Sequence, residues 1–414
     1  MTALLVWFMA GTSLVGCSVQ SGQNAVKTGA QVLHETEYRA LAGKRVGLIV
    51  NHTANVGEQH LTNLINREEH VELVAIFGPE HGLRGTEEDG VGIVDGSDDQ
   101  TGVPVYSLYG DTRKPTARML HGIDILVFDI QDVGARFYTF ISTMGLAMQA
   151  AAENDIPFLV LDRPNPIGGQ YVSGYVLEPE HASFVGQYPI PIAHGMTTGE
   201  LARMIVGEAM LPGLASLELD VIAMEGWERG MLWPDTGLPW VDTSPNIVGF
   251  ETTLVYPGAC FFEATAASEG RGTETPFLLL GAPWVDDQAL ASTLNGHGLP
   301  GVRFEPEPFT PRPITGKDSR PKLQGQVLGG IRIVVTDPRS FEPVETGIYV
   351  LHAFYHMAPQ ANAFLARPKW LARLSGTTRL AALLREGAPP SEITQGWQTE
   401  VAAFRARRTP YLLY

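Results

Sequence analysis

From Arg45 to Asp162 the chain alternates short apolar runs with stretches of helical spacing. The runs are Arg45–Val50, Val71–Phe77, Val103–Tyr109, Ile123–Ile130 and Ile156–Leu161. They are dense in Val, Ile, Leu and Phe with little polar alternation, the pattern of strands covered on both faces. Helical spacing falls between several of them, over Glu58–Glu69, Pro115–His121 and Tyr138–Asn154. This alternation predicts an α/β fold with a Rossmann-like, mostly parallel sheet. Thr197 and Glu200 have capping-box spacing ahead of a helix over Leu201–Met210, and Leu217–Ala223 reads as one more strand.

From Glu225 to Pro283 the chain is rich in Trp, Pro and Gly and predicts long loops around a short helix. A composition change near Trp284 marks a smaller α+β unit, with a helix near Asp287–Asn295, a strand Gly330–Thr336 and a helix Val344–Met357. The expected division is thus a Rossmann-like domain over 43–283 and a C-terminal domain over 284–414. Ahead of both, Thr2 to Gly16 is an apolar run too short to anchor in a bilayer, which takes about 20 residues. Its length and small-residue end predict a signal peptide over 1–16. Leu14-Val15-Gly16-Cys17 resembles a bacterial lipobox, so Cys17 is the expected lipid attachment point, with a polar tether over 17–42 and a place at the membrane outside the cytoplasm. One feature departs from that pattern: no Lys or Arg precedes the apolar run.

Charge changes the picture in one respect. The 45 acidic and 29 basic residues give a net charge of −16, which argues against nucleic acid as a partner. It leaves room for a local basic pocket. With only two cysteines there is no disulfide framework, and Cys260 is expected to be a buried thiol.

In an open α/β sheet the ligand crevice lies beyond the carboxyl ends of the strands. Four predicted strands end there in polar residues with Gly or Pro punctuation: Asn51-His52-Thr53, the run Gly78 to Gly85, the run Asp129 to Tyr138, and Asp162 to Pro166. Asn51, Tyr138 and Asn165 enter the candidate site on that ground. Glu80, between Pro79 and His81, is either a general acid or base or a solvated loop carboxyl. His81 is a hydrogen-bonded support or a ligand, although no HExxH or comparable spacing points to a metal. Asp129 and Asp132 hold a sugar hydroxyl or a cation, or cap the helix that follows. Arg84, Arg136, Arg163 and Arg271 lie in Gly/Pro-rich loops, where they form ordinary salt bridges or receive an anionic substrate. Glu263 and Glu269 add two carboxyls beside Arg271, flanked by Trp233, Trp240 and Trp284. Paired carboxyls with aromatic platforms suit glycoside hydrolysis. A nucleotide cofactor is poorly supported, because Gly90 to Gly96 reads GxGxxxG and does not follow the first strand. No cofactor and no metal are expected.

The ordered motifs NHT, FGPEHGLRG, DIQDVGARFYTFISTM, LDRPNPIGG, SPNI and YPGACFFEATAASEGRGTETPF resemble those of the exo-β-N-acetylmuramidase (NamZ-like) family, from Gly43 to Tyr414. The resemblance implies an active-site cleft between the two domains and release of N-acetylmuramic acid from non-reducing ends of peptidoglycan fragments. It puts the catalytic glutamate of the GPEHG motif on Glu80, and the lactyl carboxylate of the sugar gives the loop arginines a purpose. Peptidoglycan-derived muramyl saccharides are therefore the expected partners. Three positions depart from the family pattern: Phe140 stands where Tyr is usual, Val248 where Pro is usual, and Ala266 where an amide is usual.

Overall fold

The computed structural model describes residues 25–88 and 94–414. The expected signal peptide and Cys17 lie outside the described residues.

A seven-stranded sheet forms the centre of the first unit. Its strands are β1 (Arg45–Val50), β2 (Glu72–Gly78), β3 (Gly96–Ser97), β4 (Pro104–Ser107), β5 (Ile125–Asp129), β6 (Phe158–Leu161) and β7 (Leu219–Ile222). Their order is β3-β4-β2-β1-β5-β6-β7, parallel throughout except for the short edge strand β3. The chain moves outward from β1 through β2 and β4, then returns to pair β5 on the other side of β1. That reversal is the switch point where a crevice opens beyond the strand ends. β5 and β6 are buried at every position, as their unbroken apolar runs require.

Helices cover both faces. On one side α4 (Phe140–Glu153) is buried nearly all round and α5 (Thr198–Gly207) carries the predicted capping box, Thr197 with Glu200. On the other lie α1 (Gly29–Glu35) and α2 (Leu61–Asn66), and the single turn α3 (Ala117–Leu120) leads into β5. Helix α1 corrects the expected tether. Thr28 caps it, Ala30 and Leu33 are buried, and the Gly29 amide donates to the Asp162 carbonyl at 2.8 Å. A Cβ at Gly29 would collide with the backbone of Asp162 and Ile222, so only glycine admits this close approach.

The second unit holds a three-stranded antiparallel sheet, β8 (Leu279–Ala282), β9 (Val302–Pro306) and β10 (Gly329–Val335), in the order β8-β10-β9. Strand β8 precedes Trp284, so this unit begins earlier in the chain than the composition change. Around the sheet pack α6 (Phe250–Ala259), α7 (Asp287–Gly296), α8 (Pro343–Met357) and five short helices, α9 (Ala361–Phe364), α10 (Pro368–Ser375), α11 (Arg379–Glu386), α12 (Pro390–Gln395) and α13 (Gln398–Arg408). One apolar core runs from β5 and α4 through α6 and α8 to Trp397 and Phe404, joining the two units.

Helices α6 and α8 meet at two glycines. A Cβ on Gly258 would strike the Pro343 carbonyl and come within 2.9 Å of the Gly347 Cα. Helix propensity favours alanine there, but backbone atoms cannot yield as a flexible side chain can. Gly258→Ala should therefore lose about 1–3 kcal/mol in urea denaturation, and unchanged stability would show that the helices can part freely.

Candidate active site

A cleft of about 690 Å³ lies beyond the carboxyl ends of β2, β4 and β5, and both units line it. The first unit supplies Glu80. The chain leaves β2 at Gly78 and turns at once, the Gly82 amide donating to the Pro79 carbonyl at 2.9 Å. His81, Gly82 and Gly85 all have positive φ, and this folds the loop back and sets Glu80 at the cleft. Thr139, which enters α4, donates its hydroxyl to Glu80 Oε2 at 2.6 Å and orients the carboxyl. His81 is buried beside it, its Nδ1 2.6 Å from the Glu87 carbonyl. Tyr138 lines the same wall and donates to Thr243 Oγ1 at 2.9 Å.

The second unit supplies a charged cluster. Arg271 reaches Glu263 Oε1 at 2.9 Å and Glu269 Oε1 at 3.6 Å, with its guanidinium 5.2 Å from the Phe277 ring centroid. Lys322 Nζ lies 2.6 Å from Glu269 Oε2 and donates to the carbonyls of Phe262, Thr265 and Ala267. One ammonium thus ties the segment carrying Glu263 to the carboxylate of Glu269. Gly270 and Gly272 have positive φ, and the Arg312 amide donates to the Gly272 carbonyl at 2.9 Å, which pins the neighbouring loop. Cys260 is buried and lines the cleft, and burial pushes its thiol well above the usual range.

The lining departs from the charge of the whole chain. Six Lys and Arg side chains face five carboxyls. Arg113 lies 4.2 Å over the Phe184 ring, and Arg367 lies 5.1 Å over Trp370. Asn246 is buried, donates to the Lys317 carbonyl at 3.1 Å, and keeps Oδ1 without a hydrogen-bond partner among the described residues.

Residues 46–251 match the family model of the exo-β-N-acetylmuramidase NamZ N-terminal domain, and residues 254–414 match that of its C-terminal domain. The chain belongs to the NamZ family. The change from one NamZ model to the other falls at the start of α6, ahead of β8. The peptidoglycan β-N-acetylmuramidase NamZ of Bacillus subtilis (strain 168) is 43% identical over 390 residues, covering 94% of this chain and 91% of that protein. Two crystal structures of DUF1343 family proteins from Bacteroides fragilis NCTC 9343 share the NamZ fold seen here. One has a TM-score of 0.86 at 38% identity, the other 0.77 at 34%, and each comparison covers 94% of this chain and 99% of that one.

Of the residues expected at the site, Glu80, His81, Tyr138, Glu263, Glu269 and Arg271 line one cleft. The other six lie elsewhere, each for a visible reason. Asn51 is buried and accepts from Thr53 at the end of β1. Arg84 pairs with Asp98. Arg163 is buried on Asp129. Arg136 is buried among backbone carbonyls. Asn165 braces the Met196 carbonyl at 3.0 Å. The expected aromatic platforms differ too. Trp233 and Trp240 pack edge to face, and Trp370 stands at the cleft instead. Thr139, Arg113, Lys322 and Trp370 escaped the sequence reading. Thr139 stood one residue past Tyr138, whereas Lys322 sits in a loop with no motif around it.

Asp132 lies beneath the strand ends, accepting from the Gly134 amide at 2.7 Å and 3.9 Å from His194 Nε2. Burial pushes the Asp132 carboxyl up to about 7 and the His194 imidazole down to about 3. The folded chain therefore holds the Asp132 proton more tightly than the unfolded chain. The stability this gives is full below about pH 4 and is lost as pH rises to about 7. His194 acts in the opposite sense, its contribution being lost as pH falls below about 6.5. Asp132→Asn keeps the acceptor and removes the titration. Relative to that variant, the wild type should lose stability by up to a few kcal/mol between pH 5 and 8 in denaturant titrations. A pH-independent difference would show an ordinary carboxyl.

Proposed function

We propose that the chain carries out the reaction of its family, with Glu80 as the general acid that protonates the departing glycosidic oxygen. As a member of the exo-β-N-acetylmuramidases it is a glycoside hydrolase, releasing N-acetylmuramic acid from non-reducing ends of peptidoglycan fragments. The observation that carries the assignment is that carboxyls from both units, Glu80 from one and Glu263 with Glu269 from the other, line the same cleft. Glycoside hydrolysis needs a proton donor at the leaving oxygen and a second group at the anomeric carbon. The Glu263–Arg271–Glu269 cluster, or the acetamido group of the substrate itself, fills that second role. Muramic acid carries a lactyl carboxylate, and Arg113, Arg367 and Arg373 at the cleft are cations suited to receive it. The buried Oδ1 of Asn246 is an acceptor suited to a sugar hydroxyl or an acetamido N–H.

Glu80→Gln keeps the shape and the Thr139 contact while removing the acidic proton. We expect it to lower release of muramic acid from a defined disaccharide by about 10²–10⁴-fold in kcat, with circular dichroism unchanged. Near-normal turnover in that variant would remove Glu80 from the mechanism.

We also place the enzyme at the cell envelope, acting in wall turnover and recycling. Support comes from the apolar run that ends in Leu14-Val15-Gly16-Cys17. Labelled palmitate should be incorporated into the wild type in a bacterial host and not into Cys17→Ala, and equal labelling of both would refute the anchor.

A further inference from the structure

The second unit pairs two imidazoles away from the cleft. His352 and His356 lie one turn apart on α8 with their Nε2 atoms 3.1 Å from each other and ring centroids 4.3 Å apart. In a neutral pair only one of the two facing Nε2 atoms bears a proton, and the other presents its lone pair. A divalent ion sits about 2.0–2.1 Å from an imidazole nitrogen. Two such ligands are then roughly 2.9 Å apart at a right angle and about 3.4 Å apart at the tetrahedral angle, by the same bond lengths. The observed separation falls between these limits, so a gap now bridged by a proton also fits a cation.

The Nε2 atom of His352 already faces that of His356.

We propose that His352 and His356 form a binding site for one late first-row divalent cation of the zinc, nickel and copper class. Imidazole suits these ions, whereas calcium and magnesium seek oxygen. The site would lie on α8 alone, without entering the hydrolytic cleft. Among the described residues, the competing cluster is Glu178, Glu180 and His181, whose Glu178 is already held by Thr377 and Arg379.

Calorimetric titration of the full chain with zinc chloride, and separately with magnesium chloride, tests the proposal. One zinc per chain and no magnesium are expected. His352→Ala or His356→Ala should weaken zinc binding by about tenfold or more, since loss of even an outer partner costs that much. His181→Ala should leave it unchanged. Copper(II) bound to the wild type should show hyperfine splitting from two imidazole nitrogens, reduced in His356→Ala. His356 is exposed, so an unchanged melting temperature of the metal-free variant shows that its fold is intact. Absence of zinc binding, binding indifferent to both α8 substitutions, or binding abolished by His181→Ala would each overturn the site.

Discussion

A buried guanidinium fastens the two units around the cleft. Arg136 is fully buried, and among the described residues it has no carboxylate partner. Its Nη atoms donate to the carbonyls of Tyr175 and Ile190 in the first unit and of Leu374 in α10 of the second. Burying a charge without its opposite costs several kcal/mol unless the surrounding dipoles are fixed in place. The carbonyls must therefore stay where they are, and so must the segments that bear them. Gly376 confirms how tight the fit is, since a Cβ there would come within 2.7 Å of the guanidinium. Arg136 also stands three residues before Thr139, which orients Glu80, and Leu374 follows Arg373 on the opposite lining. A single cation thus holds in register the parts of both walls that meet the ligand.

That dependence explains how much of the molecule is legible in the sequence. The parallel sheet was legible because β1, β5 and β6 are covered on both faces and had to be continuous apolar runs. Helix α5 was legible through its capping box. The segment over 25–42 looked like a tether because its helix is short and polar outside. Its order comes from Gly29 lying against the ends of β6 and β7, a tertiary contact with no local signature. The start of the second unit was hidden for a related reason: β8 has only four residues, and α6 carries Pro257 inside the helix.

The site divides along the same line. Rules about strand ends located the right edge of the sheet, yet they are silent on whether a side chain turns outward or in. Glu80 turns to the cleft because a run of positive φ values follows it. Arg163 and Arg136 leave the same edge and turn inward, one to Asp129 and one to carbonyls. The acidic balance of the chain likewise described only its outside. The cleft is lined by more cations than carboxyls, several of them from loops of the second unit that no pattern singled out.

The continuous apolar core has a consequence for what the two units are. They match separate family models, and each has its own sheet. Yet Phe140 and Met144 of α4 belong to the same packed cluster as Phe262, Phe354 and Trp397. Cutting the chain between the models would expose that cluster on both pieces, and neither would have enough polar surface to cover it. Two sheets thus share one packed core, and half of the chain is not half an enzyme.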